Sequence, residues 1–153
     1  MYACDRQWWR HHIDAVKQVF NGELVTQYGD DGDDLPYAQA HGITAVPGID
    51  EPGLGRDGVL RYNSNSGAQA IQVAVFRGAE RVVLLGFDMQ NTGGRSHWFG
   101  DHPENLATGN YASFIPTFTK LADDLKGAGV EVINCTRTTA LTQFPRAKLC
   151  DVL

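Results

Sequence analysis

The feature that most narrows the fold lies between Asn63 and Gln90, in the run NSNSGAQAIQVAVFRGAERVVLLGFDMQ. Ser64, Asn65 and Ser66 are short polar side chains of the kind that accept hydrogen bonds from the first backbone N–H groups of a helix. Behind them Ala68, Ala70, Ile71, Ala74 and Val75 predict a small-residue helix that packs closely on a sheet. Gly78 ends it. Val82 to Leu85 is then an unbroken branched run, the pattern of a strand buried on both faces in a parallel sheet. Parallel neighbours need crossovers, so this helix-strand unit implies an α/β chain with right-handed connections.

The flanks fit that class. A helix is expected from about Arg6 to Phe20, where Trp9, Ile13, Val16 and Phe20 recur on one face before Asn21-Gly22. A second is expected from Tyr111 to Lys126, with Pro116 near its first turn, Phe114, Phe118, Leu121, Ala122 and Leu125 facing inward, and Gly127 and Gly129 beyond it. Short strands are expected at Leu24-Val25-Thr26, at Ile43 to Val46 and at Val130 to Asn134, while Tyr2 to Asp5 reads as the end of another. Residues 28–42, YGDDGDDLPYAQAHG, read as a mobile surface loop, as does the Gly/Pro-rich stretch 47–58. The aspartates of the first lack the glutamate that closes a calcium-binding EF-hand loop.

Composition sets limits on partners. A length of 153 residues suits a single domain, 1–153, and a hydrophobic fraction of 42% supplies a core. The net charge is −5 and the 13 basic residues are scattered, which argues against a nucleic-acid partner. No apolar run approaches the ~20 residues of a membrane span, and MYACDRQWWRHH has no signal-peptide core, so a cytoplasmic protein is expected. Cys4, Cys135 and Cys150 have no metal-type spacing and are expected to be reduced, mostly buried thiols.

In parallel sheets ligands sit beyond the carboxyl ends of the strands. Asp5, Asp88, the segment Cys135-Thr136-Arg137 and the loop after Val46 hold such positions. Asn65, Ser66 and Gly67 open a helix whose N-terminus suits a phosphate or carboxylate, or simply cap it. The loop GGRSHWFGDHP, residues 93–103, follows the central strand. Its His97, Asp101 and His102 allow acid-base work on a substrate hydroxyl. With Asp88 they also allow mixed nitrogen and oxygen ligation of zinc, manganese or iron, although the spacing matches no strong metal motif. A plain structural loop is the third reading. Trp98 and Phe99 either stack on a base or sugar or anchor the loop. Arg95, Arg137 and Arg146 are the candidate phosphate cations, and the adjacent His11 and His12 read as structural or surface residues.

The span SNSGAQAIQVAVFRGAERVVLLGFDMQ, followed by HWFGDHP and GVEVINCTRTTAL, resembles the MptE-like and motility-accessory-factor group of Rossmann-like proteins. It is similar, more distantly, to bacterial CMP-sialyltransferases, and within the group it is nearest to short phage and prophage members. The resemblance covers about residues 60–146. It implies a Rossmann-like three-layer α/β domain with a mostly parallel sheet, and a nucleotide-dependent transferase moving either a sugar from a nucleotide donor or a pyrophosphoryl group from ATP. It places a general base at His97 or His102, with Asn65, Ser66, Gly67 and Asp88 at a nucleotide or nucleotide-sugar; Arg137, expected at the ligand edge after the strand VEVIN, is the residue set against phosphate. Metal dependence stays open. Members of the group begin with a strand and a G-x-G-P-S-L turn that cradles the nucleotide. This sequence starts at YACD without that turn, so a domain incomplete at its N-terminus is expected, with an exposed sheet edge that favours a homo-oligomer. Two other functions fit the same residues: a non-catalytic nucleotide-binding or interaction protein, and a metal-dependent hydrolase using Asp88, His97, Asp101 and His102.

Overall fold

The computed structural model describes residues 1–29, 35–97, 102 and 110–153. The first helix, α1 (Arg6–Val19), buries Trp9, Ile13 and Val16 at the expected spacing, and Asp5 caps it by accepting from the N–H groups of Gln7 and Trp8. Strand β1 (Val25–Tyr28) pairs in parallel with β2 (Thr44–Ile49), and β2 with β3 (Leu60–Arg61). On the other side of β1, Tyr2 bridges Val25, again in parallel. Helix α3 (Ser66–Phe76) then leads to β4 (Arg81–Leu84), which pairs in parallel with β5 (Glu131–Asn134). Before β5 come α4 (Tyr111–Phe114) and α5 (Thr117–Gly127). The chain is thus a mixed α/β fold with short, open, parallel sheets. No helix among the described residues is long and apolar enough to cross a membrane.

Four sequence expectations need correction. The stretch 28–42 is not all loop: Leu35–His41 forms a helix, α2, ended by Gly42 at φ +66°. Ala38 is buried in it, and the rings of Tyr37 and His41 stack with centroids 4.1 Å apart. Two turns of helix are too short to show a period, and the aspartates before them dominate the composition. The helix expected over Tyr111–Lys126 is two helices meeting at Pro116, which has no N–H to give to a carbonyl in the preceding turn. The central strand is not buried on both faces: Leu84 is buried, Val82 and Val83 are half-buried, and Leu85, just past the last paired residue, is 56% exposed. In an open sheet one partner strand leaves such a residue uncovered. Of the cysteines only Cys135 is buried; Cys4 is half-buried and Cys150, in the C-terminal 3₁₀ turn, is exposed.

Two apolar clusters form. One gathers Phe118, Leu121 and Leu125 of α5 with Ala68 and Ile71 of α3 and with Leu84 and Val132. The other gathers Trp9, Ile13 and Val16 with Leu24, Ala38 and Ile43. Polar contacts tie α3 to the segments around it. Gln72 has no solvent exposure; its Oε1 accepts from the N–H groups of Gly55 and Arg61, and its Nε2 donates to the carbonyls of Arg61 and Ala68. Gln69 donates to the Tyr62 carbonyl at 2.8 Å and accepts from the Tyr2 hydroxyl. Two glutamines, besides the expected small residues, therefore complete the inner face of α3.

Candidate functional site

Within each of the two sheets the strands run parallel, so the carboxyl ends of its strands lie at one edge. A cavity of about 1180 Å³ opens there. Asp5 reaches it from beyond the Tyr2 bridge, Gln27 from the end of β1, Asp50 from beyond β2, Tyr62 from beyond β3, and Phe87 and Asp88 from beyond β4. The start of α3 forms another wall. A cavity walled from four strand ends and the Tyr2 bridge is what a parallel arrangement offers a ligand, because neighbouring loops diverge there.

The start of α3 is held firmly. Asn65 Oδ1 accepts from the N–H groups of Gly67 at 2.9 Å and Ala68 at 3.1 Å. A Cβ on Gly67 would lie 2.7 Å from the Phe87 ring, so glycine here is required by close packing of the β4 loop on the helix. Asn63 and Ser64, just before the cap, have φ of +47° and +50°. Such conformations cost about 1 kcal/mol or more unless their surroundings fix them. Asn63 is fixed: its side chain accepts from the Gly53 N–H and donates to the carbonyls of Gly53 and Arg61.

The loop after β4 is fastened just as tightly. The N–H of Phe87 donates to Thr136 Oγ1, Thr139 Oγ1 donates to the Phe87 carbonyl, and the Ala140 N–H donates to the Asp88 carbonyl. Asp88 accepts a hydrogen bond from Thr92 Oγ1 at 2.7 Å, which orients its carboxylate on the cavity wall. The rings of His97 and His102 lie 4.4 Å apart between centroids, edge to face. Tyr111 donates to the Ser96 carbonyl and ties that loop to α4. His12 lies near the pair; burial holds its imidazole below the ordinary range, and charge on His11 and His102 adds to the effect.

At the other end Cys4 and Ser66 share a hydrogen bond of 2.8 Å. Burial pushes the Cys4 thiol up, despite Ser66 acting the other way, which disfavours a thiolate nucleophile. Burial, with Cys4 and Tyr62 adding to it, also pushes the Tyr2 hydroxyl far above its usual range, so it serves Gln69 as a donor only.

The structure therefore brings Asn65, Ser66, Gly67, Asp88, His97 and His102 to one cavity, joined by Asp5 and Arg95. Arg137 is exposed beyond β5 and is not on the cavity wall. Arg146 is spent on structure, donating to the carbonyls of Thr136 and Arg137. Asp101, Trp98 and Phe99 lie outside the described residues. Among the described residues no group of three His, Cys, Asp or Glu side chains converges as a metal site requires. Sequence reasoning missed Gln27 and Tyr62, and put the loop after Val46 at this edge without singling out its Asp50. A polar residue at the last position or two of an otherwise apolar strand is the signal that finds Gln27. Tyr62 and Asp50 sit in or beside segments read as loop, and only the register of β2 and β3 brings them to the same edge. No family model, curated protein or solved structure matches this chain.

Proposed function

We propose that this protein is a nucleotide-dependent transferase of the glycosyltransferase kind, built on a Rossmann-like three-layer arrangement. The observation that carries the reading is the shared cavity: the start of α3, the Asp88 carboxylate and the His97/His102 pair face one space at the carboxyl ends of parallel strands. The donor lies with its sugar and phosphates toward Asn65, Ser66 and Asp88. Arg95, which lines the cavity, takes the phosphate role expected of Arg137 from its place after the strand. One histidine of the pair removes the proton of the acceptor hydroxyl as that oxygen attacks the anomeric carbon. The bond to the nucleotide's phosphate oxygen breaks, and the nucleotide leaves with the electron pair. Asp5, Asp50 and Asp88 make the wall rich in negative charge, so phosphates enter most readily with a divalent cation that screens them.

The test begins with thermal melting against nucleotides and nucleotide-sugars, with and without Mg²⁺ or Mn²⁺. A ligand at ~100 times its dissociation constant stabilises the fold by about 2.7 kcal/mol. Transfer measured with the ligand so identified should fall by about 10²-fold or more in His97→Ala or His102→Ala, with binding kept. Binding without turnover would instead make the protein a non-catalytic nucleotide binder. Hydrolysis abolished by EDTA would point to the metal-dependent reading.

A further inference from the structure

A second, smaller cavity of about 400 Å³ opens off the first. The two share Cys4, Asp5, Ser66 and His102 on their walls, so one ligand can occupy both. The annex adds Tyr2, Ala3 and Trp8. Its polar groups are nearly all engaged. The Tyr2 hydroxyl donates to Gln69, which leaves the ring as an apolar wall. The Ala3 carbonyl accepts from the Trp9 indole N–H at 2.9 Å. Cys4 and Ser66 bond each other. Trp8 lies half-buried, with His12 tilted against it at 4.8 Å and Trp9 edge-on at 5.2 Å between ring centroids, which fixes the indole plane.

Asp5 differs from these. Its Oδ1 alone accepts both cap hydrogen bonds, from Gln7 N–H at 2.7 Å and Trp8 N–H at 3.4 Å. The second carboxylate oxygen carries no part of the cap. The annex thus offers aromatic walls, one strong acceptor in Asp5 and, where it meets the larger cavity, the His102 imidazole. That combination selects a flat, largely apolar ring bearing an N–H donor at its edge, because stacking is indifferent to ring identity while the carboxylate is not.

We propose that the annex is the base subsite of the nucleotide, and that Asp5 selects a base with an exocyclic amino group, adenine or cytosine, over its keto counterpart. This rests on the nucleotide reading above. An amino group donates to the carboxylate; the carbonyl of hypoxanthine or uracil in the same place meets it as a second acceptor and is repelled.

The experiment compares dissociation constants of ATP with ITP, and of CTP with UTP, each with Mg²⁺, for the full chain and for Asp5→Asn and Trp8→Phe. At least one amino base should bind about tenfold or more tighter than its keto partner. Asp5→Asn should lose or reverse that preference while the unliganded melting temperature holds, since asparagine caps a helix as well as aspartate. Binding should quench tryptophan fluorescence, and Trp8→Phe should remove most of the quench. Equal affinity within both pairs, or an unchanged preference in Asp5→Asn, overturns the assignment. So does a quench unaltered in Trp8→Phe, a readout that stands even if Asp5→Asn fails to fold. Nucleotide binding without base preference sinks only the base subsite; if none of the four binds, the nucleotide reading falls with it.

Discussion

Gln72 shows how much a single residue can hold. Its carboxamide serves two backbone N–H groups and two carbonyls without any contact with water. Leucine at 72 fills similar space but leaves the N–H groups of Gly55 and Arg61 without their acceptor in a dry setting. Gln72→Leu should therefore destabilise the fold by about 2–5 kcal/mol, read as a lower urea midpoint. A loss under about 1 kcal/mol would mean that other partners replace the amide. The sequence does not advertise this role. Glutamine in a helix is usually a solvent-facing residue, and its burial here depends on strands and loops far along the chain. Asp88 is the opposite case. A carboxylate just after a strong strand is visible in one dimension, because a strand's end fixes where the next residues emerge.

Helix α3 is the element on which both the fold and the site depend. Its cap is separable from any ligand role of Asn65 by measuring the empty protein. Asn65→Ala should cost about 1 kcal/mol in thermal or urea unfolding, and Asn65→Ser much less, since serine also caps. If alanine and serine behave alike without ligand, the cap contributes little. Elements with long periods were legible: α1 and the inner face of α5 follow from their spacing alone. Elements without room for a period were not. α2 has seven residues, and β3 has two and exists only because β2 lies beside it. The division at Pro116 was visible as a proline, but whether a proline opens a helix or splits one is decided by the packing on either side.

For the whole molecule, acid is the informative stress. His12 titrates below its ordinary value because it is partly desolvated and faces charge from His11 and His102. The folded state thus favours the neutral ring, while the unfolded chain takes up its proton near pH 6.5. The stability His12 contributes is complete above that pH and declines as pH falls below it. The melting temperature should fall between pH 7 and 5.5, and by less in His12→Gln; an equal fall in both would absolve His12. The location of the cavity was legible at this scale, since parallel strands dictate the edge at which their loops diverge. The membership of the site was less so, because Gln27, Asp50 and Tyr62 meet only through strand register. The hydrogen bonds Tyr2–Gln69 and Cys4–Ser66, which join the segment before α1 to α3, have a further consequence. Directional bonds fail together when two bodies shift by an ångström, whereas each greasy core survives such a slip. The cavity takes walls from both sides of those bonds, from Asp5 before α1 and from Ser66 at the start of α3. If the cavity takes the proposed ligand, that molecule is a rivet as well as a cargo: it touches both segments and stabilises only the chain in which they stay together.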